Sequence, residues 1–370
     1  MANFVFEKIA ILGTGLMGGS LAMALKACEV VGEVVAYDIS NDARNAAREL
    51  GVADRVEDRS EDAVRGSGAI FLATPIGAMA GALKAAAPAL MKGAVISDLA
   101  SVKIGVISAI EAVLPAGAHY VGGHPMTGSE RSGVSNARAD LFRDRCYVLT
   151  PTDTTDLDSY QKLHTVLTEI GARVISMDPE SHDRAMATIS HVPHLLSLLM
   201  MNMAAREKEQ MNNIYTLAAG GFRDMTRVAA SNPRMWLDIV SVNRDFIIEE
   251  LKRFASSVDV LVDILQKNDR DAVLALFVDA CAAREELSMK PGVEKAELFT
   301  ISLPVPDELG VISKIATAVG ALGINIEDIG IAHPLEGAMG ILTLKVLGAE
   351  RAREVTLKLE SMGYNVSSEQ

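Results

Sequence analysis

The segment Gly122-Gly123-His124-Pro125-Met126-Thr127-Gly128-Ser129-Glu130 sets an imidazole between glycines and a proline, a composition that predicts a turn. An imidazole titrates near neutrality and can take a proton from a hydroxyl group. About 110 residues earlier, Gly13-Thr14-Gly15-Leu16-Met17-Gly18 completes the pattern G-x-G-x-x-G. A histidine held rigidly near a nicotinamide is placed to act as the base of a dehydrogenase.

The glycine loop follows the apolar run 8–12 and opens a helical pattern, the context a dinucleotide site requires. Gly13 permits the tight turn, Gly15 lets the backbone approach a pyrophosphate, and Gly18 lets helix pack on strand. The helix beginning at Leu16 and Met17 offers free N–H groups and a partial positive charge to the phosphates. Asp38 ends the second strand, twenty residues after Gly18. A carboxylate there accepts hydrogen bonds from ribose hydroxyls and repels a 2′-phosphate, which favours NAD over NADP. Arg44 lies close enough in sequence to argue the other way.

Three further groups carry chemistry. Ser190-His191-Val192-Pro193-His194 puts two histidines on one helical face, with Pro193 expected to kink the helix. With His124 they satisfy the number of ligands a zinc site needs, but their spacing does not specify a metal, and none is expected. Asp98-Leu99-Ala100-Ser101-Val102-Lys103 follows a strand end, where parallel sheets line their ligand crevice. Ser101 there is a hydrogen-bonding group, a helix N-cap, or both. In Gly220-Gly221-Phe222-Arg223-Asp224-Met225-Thr226-Arg227, Arg227 can clamp a carboxylate bidentately and Asp224 can orient it.

Composition narrows the function class. The 370 residues carry 48 acidic and 35 basic side chains, a net charge of −13, which argues against nucleic acid as a partner. Three well-separated cysteines, Cys28, Cys146 and Cys281, suggest a reducing, cytoplasmic setting. No signal peptide is read at the N-terminus. The longest uncharged run, 185–205, includes two histidines, a proline and several hydroxyl groups, so it reads as a buried helix and not as a membrane span.

These groups require elements to position them. Apolar runs at 8–12, 33–37, 69–73, 94–98, 119–122, 147–150 and 173–177 alternate with alanine-rich helical stretches. This rhythm predicts an α/β Rossmann-type doubly wound sheet over 1–178. Strand signals then stop. Trp236, Ile239, Val240, Phe246, Ile247, Leu251, Phe254, Val258, Leu261 and Ile264 recur near helical spacing. They predict an all-helical second domain over 179–290 whose apolar faces suit substrate binding and a second subunit. After a linker at 289–292, residues 296–370 read as a small α+β (βαββαβ) module. Its strands are expected at 297–303, 324–332, 339–346 and 364–367, and its helices at 310–322 and 349–362.

Together these residues resemble the prephenate and arogenate dehydrogenases of tyrosine biosynthesis, over residues 5 to about 290. The resemblance rests on the Gly13 loop, Asp38, Thr74-Pro75, the Ser101 segment, His124–Glu130, Ser190–His194 and the 221–227 segment. The string His-Pro-x-x-Gly-Ser-Glu together with Ser-His-x-Pro-His is the most specific part. Thr127 stands where that family often has alanine. Residues 296–370 resemble an ACT domain, through Pro306-Asp307-Glu308-Leu309-Gly310-Val311 and Gly323-Ile324-Asn325-Ile326.

The resemblance implies NAD-dependent oxidative decarboxylation of prephenate to 4-hydroxyphenylpyruvate, or of arogenate to tyrosine, by a homodimer. It implies that His124 accepts the hydroxyl proton with Ser101 in the same network. Arg227 would hold a carboxylate, with His194, Glu130, Asp224, Arg223 and Thr127 around the substrate and Thr74 and Pro75 beside the cofactor. It further implies tyrosine as an effector of the ACT-like module through Asp307, Gly310, Asn325 and Ile326. A β-hydroxyacid dehydrogenase is the nearest rival enzyme, but its catalytic lysine has no counterpart in 183–205. A nucleotide- and amino-acid-sensing regulator would not need His124, Ser101 and Arg227 together.

Overall fold

Side chains along 9–12 alternate between two layers. Ile9 and Ile11 join a cluster with Leu21, Leu25, Phe71 and Phe142, whereas Ala10 and Leu12 join a second with Ile70, Leu72, Leu83 and Ile96. A strand buried on both faces must be apolar at every position, as parallel strands covered by helices are. The computed structural model of the protein describes residues 4–128, 131–208, 211, 213–288, 298–306, 308–332 and 340–369. Glu130, Asp307 and the linker 289–292 lie outside the described residues.

The strands of the first sheet are β1 Phe6–Leu12, β2 Val31–Tyr37, β3 Arg55–Val56, β4 Ala69–Leu72, β5 Val95–Asp98, β6 His119–Pro125, β7 Cys146–Thr150 and β8 Arg173–Ser176. They are ordered β3-β2-β1-β4-β5-β6-β7-β8. All neighbours run parallel except β6 and β7, which are antiparallel. β3 has no sequence signal because it is two polar-flanked residues at the sheet edge.

His124 is a strand residue and not a turn residue, a correction to the sequence reading. It sits on β6 opposite Val148. The two glycines before it serve close packing: a Cβ at Gly123 would lie 2.6 Å from the Asp98 carbonyl oxygen, and one at Gly122 would strike Thr150 Oγ1.

Contacts divide the chain into two compact units, Met1–Val258 and Asp259–Gln370. The helical stretch expected at 179–290 is shared between them. In the first unit it comprises Pro179–Met186, a π-helical turn Ala187–His191, Val192–Glu207, Gly220–Thr226, a 3-10 turn Arg227–Ala230 and Pro233–Val242. The long helix Arg244–Gln266 follows. Ile247, Phe246 and Leu251 pack with Ala187 and Val192, but further along that helix Phe254, Val258 and Leu261 are exposed. No helix among the described residues is long and apolar enough to cross a membrane.

The second unit contains an antiparallel sheet of β9 Leu298–Val305, β10 Asp328–Ala332, β11 Gly340–Leu347 and β12 Ser367–Glu369, ordered β10-β11-β9-β12. Helices Val311–Gly320 and Ala349–Ser361 cover it through Ile315, Val319, Val355 and Leu359. Two strands start later than expected. Ile324 and Ile326 do bury apolar surface, but from a loop that begins at Gly323, whose φ is +71°. Tyr364 and Val366 likewise pack on the core before β12 pairs with β9 at Ser367.

The glycine loop generates a paired test. Gly13 has φ +106°, and a Cβ there would lie 2.5 Å from the Ala73 carbonyl oxygen. A Cβ at Gly18 would overlap the Gly13 carbonyl, whereas one at Gly15 meets nothing within 4 Å. Gly18→Ala is therefore expected to lower Tm by several degrees, while Gly15→Ala leaves Tm in place and raises the Kd for NAD+ by about tenfold or more, ~1.4 kcal/mol. Thermal melts and NAD+ titration of both variants check this, and normal NAD+ affinity in Gly15→Ala would remove the loop from the cofactor site.

Candidate active site

β5 ends in Asp98, which is fully buried. Asp98 Oδ1 accepts from Lys103 Nζ at 2.5 Å and from the Ala100 amide at 2.8 Å. Oδ2 accepts from the Tyr120 hydroxyl at 2.6 Å and the Gly123 amide at 3.2 Å. Lys103 Nζ also donates to the Gly123 carbonyl at 2.6 Å. Both polar groups of Gly123 are therefore fixed, one residue before His124. Burial pushes the Lys103 ammonium pKa down, while the Asp98 charge opposes that. Burial, reinforced by the neighbouring Asp98 charge, pushes the Tyr120 phenol well up. A buried ion pair is tolerable only when its remaining donors and acceptors are satisfied in this way.

His124 itself is buried, and its Nδ1 lies 2.8 Å from Nε2 of His182. His182 Nδ1 lies 2.8 Å from Asp183 Oδ1. Asp183 Oδ1 also accepts from the Lys103 amide at 2.7 Å, and Oδ2 from the Ile104 amide at 2.8 Å. Those amides open the helix Ile104–Glu111, so a carboxylate caps its positive end. Ser101 does not cap this helix, contrary to one sequence expectation, because Asp183 occupies that role. Ser101 is half-buried in the turn after β5. Burial pulls the His124 pKa well below the ordinary imidazole value, with His182, Lys103 and His191 adding to the effect.

The π-helical turn Ala187–His191 ends two residues before Pro193. Such a turn contains one residue more than an α-helical turn, and Pro193 has no amide to donate. His191 Nδ1 accepts from Asn243 Nδ2 at 2.9 Å, and the same amide donates to the Asp183 carbonyl at 2.8 Å. Burial pushes the His191 pKa down to about 4. His194 stacks on Trp236, with ring centroids 3.5 Å apart and planes 10° apart. Arg227 opens the 3-10 turn Arg227–Ala230, which packs on the helix Val192–Glu207 that carries His194.

The remaining predicted positions are more peripheral. Arg223 Nε donates to the Ala218 carbonyl at 3.1 Å, and Asp224 is exposed. Thr127 is half-buried just after β6. Among the described residues, no group of three or more His, Cys, Asp or Glu side chains is arranged to hold a metal ion.

The residues present fit a dinucleotide. The helix Leu16–Lys26 has no side-chain cap at Gly15, so its first amides are open to a phosphate. Leu16 is buried beneath the loop and Met17 half-buried. Asp38 stands at the end of β2, its Oδ2 accepting from the Thr14 amide at 2.8 Å and its Oδ1 from the Ser40 amide at 2.9 Å. Arg44 donates to the carbonyls of Asp38 and Ile39 and to Asp58. Thr74 and Pro75 follow β4 at the same edge of the sheet, with Pro75 at the N-cap of the helix Ile76–Ala86.

The sequence reading missed Asp98, Lys103, Tyr120, His182, Asp183, Trp236 and Asn243 as parts of this site. One signal was present: His182 and Asp183 are adjacent titratable residues just ahead of a long uncharged run.

Known proteins share this architecture. A family model described as the nucleotide-binding domain of prephenate dehydrogenase matches residues 21–176. A second, described as the prephenate dehydrogenase dimerization domain, matches residues 178–279. The chain is 32% identical to a prephenate dehydrogenase of Bacillus subtilis over 343 residues, 92% of each chain. It is 37% identical to a cyclohexadienyl dehydrogenase of Zymomonas mobilis, over 76% of this chain and 96% of that one. The solved structure of prephenate dehydrogenase from A. aeolicus with hydroxyphenyl propionate and NAD+ superposes with a TM-score of 0.71 at 28% identity. It covers 76% of this chain and 98% of its own. The chain belongs to the prephenate dehydrogenase family and is an NAD-dependent dehydrogenase.

Proposed function

We propose that the protein oxidatively decarboxylates prephenate to 4-hydroxyphenylpyruvate in tyrosine biosynthesis. The observation that carries this reading is the buried, hydrogen-bonded His124 at the carboxyl end of β6, beside the crevice of a dinucleotide-binding sheet. Bound NAD+ would supply the hydride acceptor. The carbinol hydroxyl would give its proton to His124, with Ser101 in the same hydrogen-bond network. The bond to the ring carboxylate would break, its electron pair would complete the aromatic ring, and carbon dioxide would leave. His124 would then return its proton to the new phenol oxygen. Burial, which pulls the His124 pKa down, favours the neutral ring that can accept a proton.

Arg227 would hold a substrate carboxylate, and His194, braced by Trp236, would form one wall of the site. Thr127, Asp224 and Arg223 would lie at its rim, with Glu130 completing it from outside the described residues. Arogenate is the alternative substrate, since replacing a keto group by an amino group changes only one or two contacts. The name of the 37%-identical relative, a cyclohexadienyl dehydrogenase, suits either.

The helices with exposed apolar faces would pair two copies of the chain. Phe254, Val258 and Leu261 in one helix and Leu274 and Phe277 in the next expose enough apolar surface to support this. The C-terminal strand–helix–strand–strand–helix–strand order supports an ACT-like module that binds tyrosine as a feedback effector. The 343-residue likeness to the Bacillus relative necessarily runs past residue 279 into this region. Gly310, with φ +85° at the N-cap of Val311–Gly320, and the Asn325–Ile326 loop would form its ligand edge, together with Asp307.

Four outcomes are expected. NADH should appear when prephenate and NAD+ are added, faster than with arogenate; no NADH with either compound would sink the reading. His124→Asn should lower kcat by roughly 10²–10⁴, the usual worth of a general base, and Arg227→Ala should mainly raise KM. An unchanged kcat in the first variant, or an unchanged KM in the second, would reassign that role. Tyrosine should inhibit the full chain and lose its effect when residues 291–370 are removed; persistent inhibition would put the effector in the active site.

A further inference from the structure

We propose that His182 and Asp183 are positioning residues that hold the proton of His124 on Nδ1 and leave its Nε2 as the bare acceptor. The proposal rests on the reading of His124 as the base. The chain of argument starts at Asp183, which as a carboxylate can only accept. It already accepts from the Lys103 and Ile104 amides, so the third contact, at 2.8 Å, obliges His182 to donate from Nδ1. A neutral imidazole that donates from Nδ1 carries a lone pair on Nε2. His182 Nε2 faces His124 Nδ1 at 2.8 Å, so the proton of that bond belongs to His124. The one remaining nitrogen of His124 is then unprotonated.

The arrangement is directional. Proton uptake at Nε2 makes His124 an imidazolium whose Nδ1–H bond to His182 strengthens, with Asp183 in line behind. All three side chains are buried, where such a bond is worth more than in water. A doubly protonated His182 would reverse the pattern: it would donate to His124 Nδ1 and leave the proton of His124 on Nε2, where it blocks base chemistry. The titratable groups that act on His124 are His182, Lys103 just after β5 and His191 in the π turn, with Asp183 behind His182.

Two measurements test this. Long-range ¹⁵N–¹H correlation spectra of the ¹⁵N-histidine-labelled wild-type protein at neutral pH should show protonated Nδ1 and bare Nε2 on both His124 and His182, assigned by the signals missing from His124→Asn and His182→Gln. A protonated Nε2 on His124 overturns the proposal, whatever the variants do. In kinetics, His182→Phe should lower kcat about 10²–10³-fold with the KM for NAD+ little changed, because the imidazolium loses its acceptor. His182→Gln, whose amide oxygen can accept from Nδ1–H, should regain at least about tenfold of that loss. Equal losses in the two variants would mean a merely structural role. Failure of the base reading has a separate signature: His124→Asn would keep its kcat while the wild-type spectra still showed the Nδ1–H form.

Discussion

One buried carboxylate, Asp183, ties together the parts of the site that come from different layers. Its side chain takes the two amides that open the Ile104–Glu111 helix and the ring of His182. Its backbone carbonyl takes the amide of Asn243 at the end of the Pro233–Val242 helix. Burying an ion costs several kcal/mol unless donors replace its water; here three donors and a helix dipole do so. The same contacts that make the charge tolerable set the distance between sheet and helices, so solvation of Asp183 and placement of His182 are one requirement.

A second buried charge answers it from the sheet side. Lys103 gives its amide to Asp183 and its ammonium to Asp98, and by bonding the Gly123 carbonyl it anchors the strand that carries His124. Gly122 and Gly123 make this possible, since neither position has room for a Cβ. The imidazole is thus held by rigid strand backbone below and by the His182 ring at its side, with little freedom to rotate. That rigidity suits a group that must meet a hydroxyl in one geometry.

Local patterns were legible in the sequence and long-range pairings were not. The glycine loop, Asp38 and the alternating strands could be read because each depends on spacing within some twenty-five residues. The C-terminal elements were read in the right order, but β10 and β12 were started early. Ile324, Ile326, Tyr364 and Val366 bury apolar surface from loops, and apolar patterning alone does not separate a packed loop from a strand. His124 was placed in a turn because glycine and proline usually mark one, whereas here the glycines serve close approach. His182 and Asp183 escape because their partners His124 and Lys103 lie 58 and 80 positions away, and no window along the chain contains both ends of such a contact.

The π turn at Ala187–His191 constrains how this chain can tolerate changes in length. Each residue added to or removed from a helix rotates everything beyond it by about 100°. One extra residue in this turn sets the angular offset between His182 and Asp183 on one side and His191 and His194 on the other. Insertions and deletions are usually tolerated in the loops at the ends of such helices. A single-residue deletion here would leave composition, hydrophobicity and helix content almost unaltered, yet would swing His194 away from Trp236 and His191 away from Asn243. At this segment the number of residues, more than their type, sets the geometry of the site.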